Sequence, residues 1–225
     1  MSKNIRASAA VAAAICAVGA AQAAPVSPTR SGLMAAVSSY LDDHGDLCVG
    51  KYTWPRYVTG ADRRSGSNDA IQLPVLERLG LVESAVVTPA PAAVKVNSTN
   101  AGQSAGGGPV TRYSLTAKGQ QFYLRKKRIV VGAHDQPVEQ DADFCVAHLS
   151  LDKVVKWSPP ERMHGHLETL VSYTYHIKSA RWMADPQARR VFPIVDRIIQ
   201  GQDNLLMTVT AQLQDGKWVA VLPGQ

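Results

Sequence analysis

The sequence lacks the short motifs that identify several common enzyme classes. It contains no phosphate-binding P-loop, no glycine-rich dinucleotide fingerprint, no H-E-x-x-H zinc helix and no C-x-x-C pair. It also lacks any apolar run of the roughly 20 residues that cross a bilayer, and its mean hydropathy of -0.10 is too low for an integral membrane protein. With only three cysteines in 225 residues, the chain is not a disulfide scaffold. Its 45% of apolar residues is enough for a sizeable buried core.

The first 23 residues have the layout of a secretory signal peptide. Lys3 and Arg6 form a basic start, residues 7–20 are small or apolar, and Ala21-Gln22-Ala23 is a typical cleavage pattern. A membrane anchor is the alternative, but this apolar run is shorter than the roughly 20 residues that span a bilayer. Cleavage after Ala23 removes two basic residues and lowers the net charge from +6 by two units. We therefore expect a periplasmic or secreted protein that does not span the membrane.

Removal of this segment also removes Cys16 and leaves Cys48 and Cys145. Both remaining cysteines stand in similar contexts, at the start of an apolar run that follows an acidic residue. Because exported proteins fold in an oxidising compartment, these two cysteines predict one disulfide, Cys48–Cys145. The alternative is a pair of buried free thiols.

The chain from residue 24 to residue 131 alternates predicted helices and strands. The helix periodicity and capping residues predict helices over 29–43, 69–79 and 117–127, and short apolar runs predict strands over 47–53, 81–87 and 110–115. Residues 54–68 contain proline, glycine and several charges and are predicted to be a loop. Residues 88–109 are a low-complexity insert that predicts a mobile loop, since it has too little apolar surface to fold.

The part from residue 132 to residue 225 is dominated by strand patterns. Strands are predicted over 144–157 and 167–178, and the second of these alternates apolar and polar side chains most clearly. A helix is predicted over 185–199 with a kink at Pro193, and Asp215-Gly216 predicts a hairpin between 205–213 and 217–222. The fold class predicted for the whole chain is α+β, ending in an antiparallel sheet with a packed helix.

Part of the first half resembles the winged-helix family. Leu79-Gly80-Leu81-Val82 is similar to the end of a winged-helix helix that leads into the wing, and Arg112 to Gly119 (RYSLTAKG) is similar to the returning strand and the start of the next helix. The resemblance covers roughly residues 40–125 and puts the insert at the wing. It implies a winged-helix-like local shape, and in that family the usual partner is DNA.

Basic residues cluster at Arg125, Lys126, Lys127 and Arg128. At the end of a predicted helix, cations suit the negative end of the helix dipole, so the cluster is also explained as a solvated helix end. As a binding surface it favours an anionic partner in the cell envelope, such as lipid headgroups or polymers. The predicted export argues against nucleic acid as that partner.

His164 and His166 are the candidate metal ligands. In an extended chain, residues two positions apart point to the same side, which suits two imidazoles on one metal ion. Zinc sites use three or four ligands, and the other donors evident in the sequence are His148 and His176. The alternative is a pair of exposed histidines without a metal.

These patterns together predict an exported, non-catalytic binding or interaction protein that requires no cofactor. Its partner is expected to be an envelope macromolecule or a small apolar ligand. A metal-dependent or hydrolytic envelope enzyme that uses His164 and His166 is the first alternative. A DNA-binding winged-helix protein is the second.

Overall fold

The computed structural model describes residues 27–88, 109–131, 136–163 and 165–222. These residues form an α+β fold with three antiparallel sheets. The helices are α1 (Arg30–His44), α2 (Gly60–Ser65), α3 (Asn68–Arg78), α4 (Ala117–Gln120), α5 (Pro186–Val191) and α6 (Pro193–Gln200). The strands are β1 (Asp46–Cys48), β2 (Arg56–Val58), β3 (Val82–Val87), β4 (Val110–Leu115), β5 (Tyr123–Leu124), β6 (Arg128–Val131), β7 (Pro137–Gln140), β8 (Asp143–Trp157), β9 (Glu161–Met163), β10 (His166–Ser179), β11 (Met207–Gln214) and β12 (Lys217–Val221).

The main sheet is built on the long strands β8 and β10. Its order is β1-β8-β10-β11-β12, with β5 also paired to β8 and β9 paired to β10. The strands predicted over 144–157 and 167–178 and the terminal hairpin are confirmed as β8, β10 and β11–β12. Asp215 and Gly216 both have positive φ, as a tight hairpin turn with the right twist requires.

Helix α1 covers one face of this sheet. Thr29 caps its first turn, and Leu33, Val37 and Leu41 are buried against the sheet residues Val171, Tyr173 and Tyr175, among others. Alternate residues of β10 therefore point to one core, as their period-two pattern predicts. The opposite face of β10 carries the polar side chains Ser172, Thr174, His176 and Lys178.

A second core joins the two halves of the chain. It combines apolar residues of α3, β3 and β4 with Phe144, Val146, Trp182, Met183 and Phe192 from the second half. Phe122, Phe144 and Trp182 form an aromatic cluster with ring centroids 6.0–6.1 Å apart. Residues from both sides of residue 131 thus pack in one core.

Several local predictions are corrected. The predicted loop 54–68 contains β2 and helix α2, because Thr59 and Asp62 form a reciprocal capping box. Helix α3 begins at Asn68, one residue before the predicted start, with Ser67 as its cap, and Pro74 lies inside it. The predicted helix over 117–127 ends at Gln120, since residues 123–124 pair with β8 instead.

The helix predicted over 185–199 is interrupted near the expected proline. It forms α5 and α6, separated at Phe192, whose backbone is not helical. The break precedes Pro193 because a proline disfavours helical backbone at the preceding residue. No helix in the described part of the chain is long and apolar enough to cross a membrane. The predicted signal peptide and residues 89–108 of the insert lie outside the described residues.

Candidate functional site

A groove lies where two strands meet end to end along one edge of β8. The pairing of β10 with β8 ends at Ala180, whose N–H donates to the carbonyl of Val146. The pairing of β5 with β8 begins next to it, where the carbonyl of Phe122 accepts from the N–H of Cys145. The space between the two strand ends has a volume of about 570 Å³. We call it the junction groove; it is lined by Asp46, Gln121, Phe122, Tyr123, Leu124, Arg125, Cys145, Val146, Ala147, His148, Lys178, Ser179 and Ala180.

The junction groove lies beside the disulfide. Cys48 and Cys145 are bonded as the sequence predicts, and they are 97 positions apart in sequence. They face each other across β1 and β8, and the pairing register shifts between Leu47 and Cys48. In a β-bulge, two residues of one strand lie opposite one residue of the partner strand, and the bulged strand bends. The bulge lets Cys145 and Val146 both hydrogen-bond along the groove edge of β8.

The floor of the junction groove is apolar. Val146 is buried and Phe122 is partly buried in the second core, where Phe122 packs edge-on against Trp182. Tyr123 is fixed by a hydrogen bond of 2.5 Å from its hydroxyl to the carbonyl of Tyr52. Burial raises the pKa of Tyr123, which keeps this hydroxyl a neutral donor. The groove therefore offers apolar surface supported by a rigid aromatic cluster.

One wall of the groove holds a paired carboxylate. Asp46 lies 2.9 Å from Nδ1 of His148 and 3.6 Å from the ammonium of Lys126. Lys126 also donates to the carbonyl of Asp43 at the end of α1. The negative charge of Asp46 is thus balanced within the protein.

Two further cations of the groove, Arg125 and Lys178, are exposed. Arg125 follows β5 and Lys178 lies near the end of β10, opposite His148 in the strand register. Neither forms a salt bridge within residues 27–88, 109–131, 136–163 and 165–222. Apolar floor and unpaired cations together suit an anionic ligand with an apolar part.

The predicted basic cluster is only partly brought to this site. Arg125 lines the groove, and Lys126 forms the salt bridge with Asp46. The ammonium of Lys127 lies 2.6 Å from a carboxylate oxygen of Glu139. The hydrogen bond that the Lys127 ammonium donates to the Glu139 carboxylate raises the pKa of Lys127. Arg128 begins β6, and its side chain lies outside the described residues. The cluster does not end a helix, since α4 ends at Gln120, residues 125–127 are irregular and Arg128 begins β6.

The predicted metal pair is described only in part. His166 is the exposed first residue of β10, and His164 lies outside the described residues. Within the described ranges, the cluster able to offer three ligand atoms is Asp152, His176 and Asp203. The His164–His166 site stays a prediction.

A buried ionic network supports the fold near the groove. The side chain of Lys51 is 3% exposed, and its ammonium lies 2.7 Å from the carboxylate of Asp69, which Arg56 also contacts at 2.5 Å. Burial lowers the pKa of Lys51, against the opposing effect of the Asp69 carboxylate. Burial raises the pKa of Asp69, but Lys51 and Arg56 outweigh it and the pKa is lowered overall. This network ties the chain after β1 to the first turn of α3.

Sequence reasoning missed Lys178 and His148 as parts of the groove. Both were visible as polar residues in strand segments, but their pairing across β8 and β10 depends on a register that periodicity does not specify. Asp203 stands in a turn and carries no recognisable motif. Comparison with known proteins finds no matching family, curated protein or solved structure.

Proposed function

We propose that this protein is an exported, non-catalytic binding protein that holds a small anionic amphiphile in the junction groove. The observation that carries the proposal is the placement of Arg125 and Lys178 beside the partly exposed apolar side chains of Phe122 and Leu124. An acyl chain would cover the apolar floor while its carboxylate or phosphate contacts the two cations. Arginine and lysine both bind such groups by charge-assisted hydrogen bonds.

The size of the groove supports a small ligand over a macromolecule. Its volume of about 570 Å³ falls within the range typical of small-molecule sites, about 300–1,000 Å³. The rigid walls also favour binding, because β8 is hydrogen-bonded on both edges there and crosslinked at Cys145. A preformed site loses little conformational freedom when the ligand binds.

Export is part of the proposal. The disulfide supports it, since disulfides persist mainly in oxidising compartments. The predicted signal peptide would bring the chain there, and cleavage after Ala23 would make Ala24 the first residue. Mass spectrometry of the unreduced protein from the periplasm should then give the mass of residues 24–225 less two hydrogens.

We also propose that the segment from α2 to α4 is winged-helix-like. Helices α2 and α3, followed by the antiparallel strands β3 and β4, support this, and the insert falls between the two strands. The polar side chains of α3 argue against DNA as the partner. Gln72 donates to the carbonyl of Val191 and Arg78 pairs with Asp185 at 2.6 Å, so the helix is engaged by α5.

Titration calorimetry with octyl phosphate, octanoate and neutral octanol tests the binding proposal. We expect both anions to bind at least tenfold more tightly than octanol, which corresponds to about 1.4 kcal/mol. In the double variant Arg125→Ala/Lys178→Ala this preference should disappear. Higher salt should weaken anion binding to the unchanged protein, because exposed charges are screened.

The matched control is Arg162→Ala/Lys217→Ala. It removes one arginine and one lysine from exposed positions on β9 and β12, outside the groove, so the net charge changes equally. Anion affinity should be retained in this variant. Equal loss in both double variants would show a general charge effect and contradict a site at the groove.

A further inference from the structure

Three metal-ligating side chains meet on the polar face of the main sheet, next to but outside the junction groove. Asp152 comes from β8, His176 from β10 and Asp203 from the turn between α6 and β11. One ligand atom of each lies within 4.8 Å of those of the other two. Imidazole and carboxylate groups in this combination suit divalent transition metals.

A β-bulge directs Asp152 toward His176. The register of β8 and β10 shifts between Thr174 and Tyr175, which leaves Asp152 as the extra residue on β8. Its Oδ2 accepts a hydrogen bond of 2.6 Å from the Thr174 hydroxyl and lies 3.4 Å from the ammonium of Lys153. The hydrogen bond from Thr174 lowers the pKa of Asp152, so the carboxylate is ionised at neutral pH. Its other oxygen, Oδ1, faces the imidazole.

The turn that carries Asp203 is fixed to the same strand. The N–H of Asp203 donates to the carbonyl of Tyr175 at 3.0 Å, and the side chain of Gln202 accepts from the N–H of Ile177. Asp203 has φ +65°, a left-handed conformation that aspartate tolerates better than most residues. The backbone therefore holds this carboxylate beside His176.

The two nitrogens of His176 face different carboxylates at different distances. Nδ1 lies 2.7 Å from Asp203 Oδ1, a hydrogen-bond distance, whereas Nε2 lies 3.6 Å from Asp152 Oδ1, which is too long for one. In the tautomer that donates from Nδ1 to Asp203, the Nε2 lone pair faces the Asp152 oxygen, and these two electron-rich atoms repel. A cation between Nε2 and Oδ1 removes this repulsion.

The spacing fits a metal ion better than a direct contact. Tetrahedral zinc with bonds of about 2.0–2.1 Å holds neighbouring ligand atoms about 3.3 Å apart. The distance of 3.6 Å between Nε2 and Oδ1 exceeds this by only a few tenths of an ångström. A carboxylate on the other imidazole nitrogen is the usual support of a zinc-bound histidine.

We propose that Asp152 and His176 bind Zn²⁺ directly, through Oδ1 and Nε2, and that Asp203 orients the imidazole through Nδ1. Water completes the coordination. The inference does not depend on the proposed ligand of the junction groove.

Calorimetric titration of the disulfide-intact protein with zinc chloride at pH 7.5, after removal of metal with a chelator, tests this site. We expect one zinc ion per chain, and at least tenfold weaker binding for His176→Gln and for Asp152→Asn. Asp203→Asn should weaken binding about 10–100-fold, as loss of a supporting carboxylate does. Long-range proton–nitrogen NMR should show the zinc-induced shift at Nε2 of His176.

Two controls keep structural effects apart from ligand loss. His166→Gln changes an exposed histidine on the same strand, and Asp215→Asn changes another aspartate with positive φ. Both should bind zinc as the unchanged protein does, and all variants should share one urea midpoint without metal. Absence of zinc binding contradicts the proposal, as does zinc binding that survives His176→Gln but is lost in His166→Gln. A doubly protonated His176 that zinc does not alter would likewise refute it, since a proton would then occupy the gap.

Discussion

Loss of the Cys48–Cys145 disulfide should destabilise the protein by an amount that its loop length sets. The crosslink closes 97 residues, and the chain-entropy relation gives about 4.7 kcal/mol for a loop of this size. Natural and engineered crosslinks commonly contribute about 2–4 kcal/mol, so we expect a loss in that range for Cys48→Ala/Cys145→Ala. With a urea dependence of about 2 kcal/mol per molar, the unfolding midpoint should fall by about 1–2 M.

Urea unfolding followed by tryptophan fluorescence measures this shift, because Trp182 is buried beside Phe122 and Phe144. A reducing agent should lower the midpoint of the unchanged protein similarly and should leave the double variant unaffected. A midpoint change below about 0.3 M would refute the reasoning, since the crosslink would then not restrict the unfolded chain.

Two further predictions concern buried charges and pH. Asp69→Asn leaves Lys51 and Arg56 without their counter-charge and should cost about 3–5 kcal/mol at pH 7. Because the pKa of Asp69 is lowered on folding, its contribution is present above its ordinary pKa of 3.8 and is lost as the pH falls through the lower folded value. Urea midpoints of variant and parent should therefore converge in acid, and a constant difference would contradict this role. Burial raises the pKa of Tyr173 from 10.0 to about 12, so the stability from its neutral form is complete below pH 10 and is lost as the pH rises to 12. Tyr173→Phe should consequently resist alkaline unfolding better than the parent, and equal alkaline midpoints would count against a buried neutral Tyr173.

Strong local patterns were sufficient to predict the main sheet. The alternation in β10 places Val171, Tyr173 and Tyr175 in the core, and Asp215-Gly216 closes the hairpin as its turn chemistry demands. The cysteine count predicted the disulfide once the signal segment was set aside. Each of these signals lies within a few residues of sequence or rests on composition.

The misassigned segments depend on distant contacts. Residues 121–127 have a helix-like composition, yet Tyr123 and Leu124 pair with Phe144 and Asp143 in β8. Helix α4 also ends close to β3, where a Cβ at Gly119 would lie 1.9 Å from the carbonyl oxygen of Leu81. Tertiary pairing outweighed local helix propensity in this segment.

The candidate sites were less predictable because they combine separate elements. The junction groove depends on β5 and β10 following one another along β8, and the metal-ligating cluster depends on a bulge at Asp152 and a turn at Asp203. Bulges and strand register are set by packing and hydrogen bonding across the sheet. The basic cluster 125–128 did lead to Arg125, but not to its partner Lys178.

The most direct test of the account is an NMR map of octyl phosphate binding to the disulfide-intact protein. Amide shift changes should concentrate at residues 121–125, 145–148 and 178–180, which line the junction groove. They should shrink strongly in Arg125→Ala/Lys178→Ala. Changes centred elsewhere, or no saturable change at millimolar ligand, would contradict the claim that this groove is the binding site.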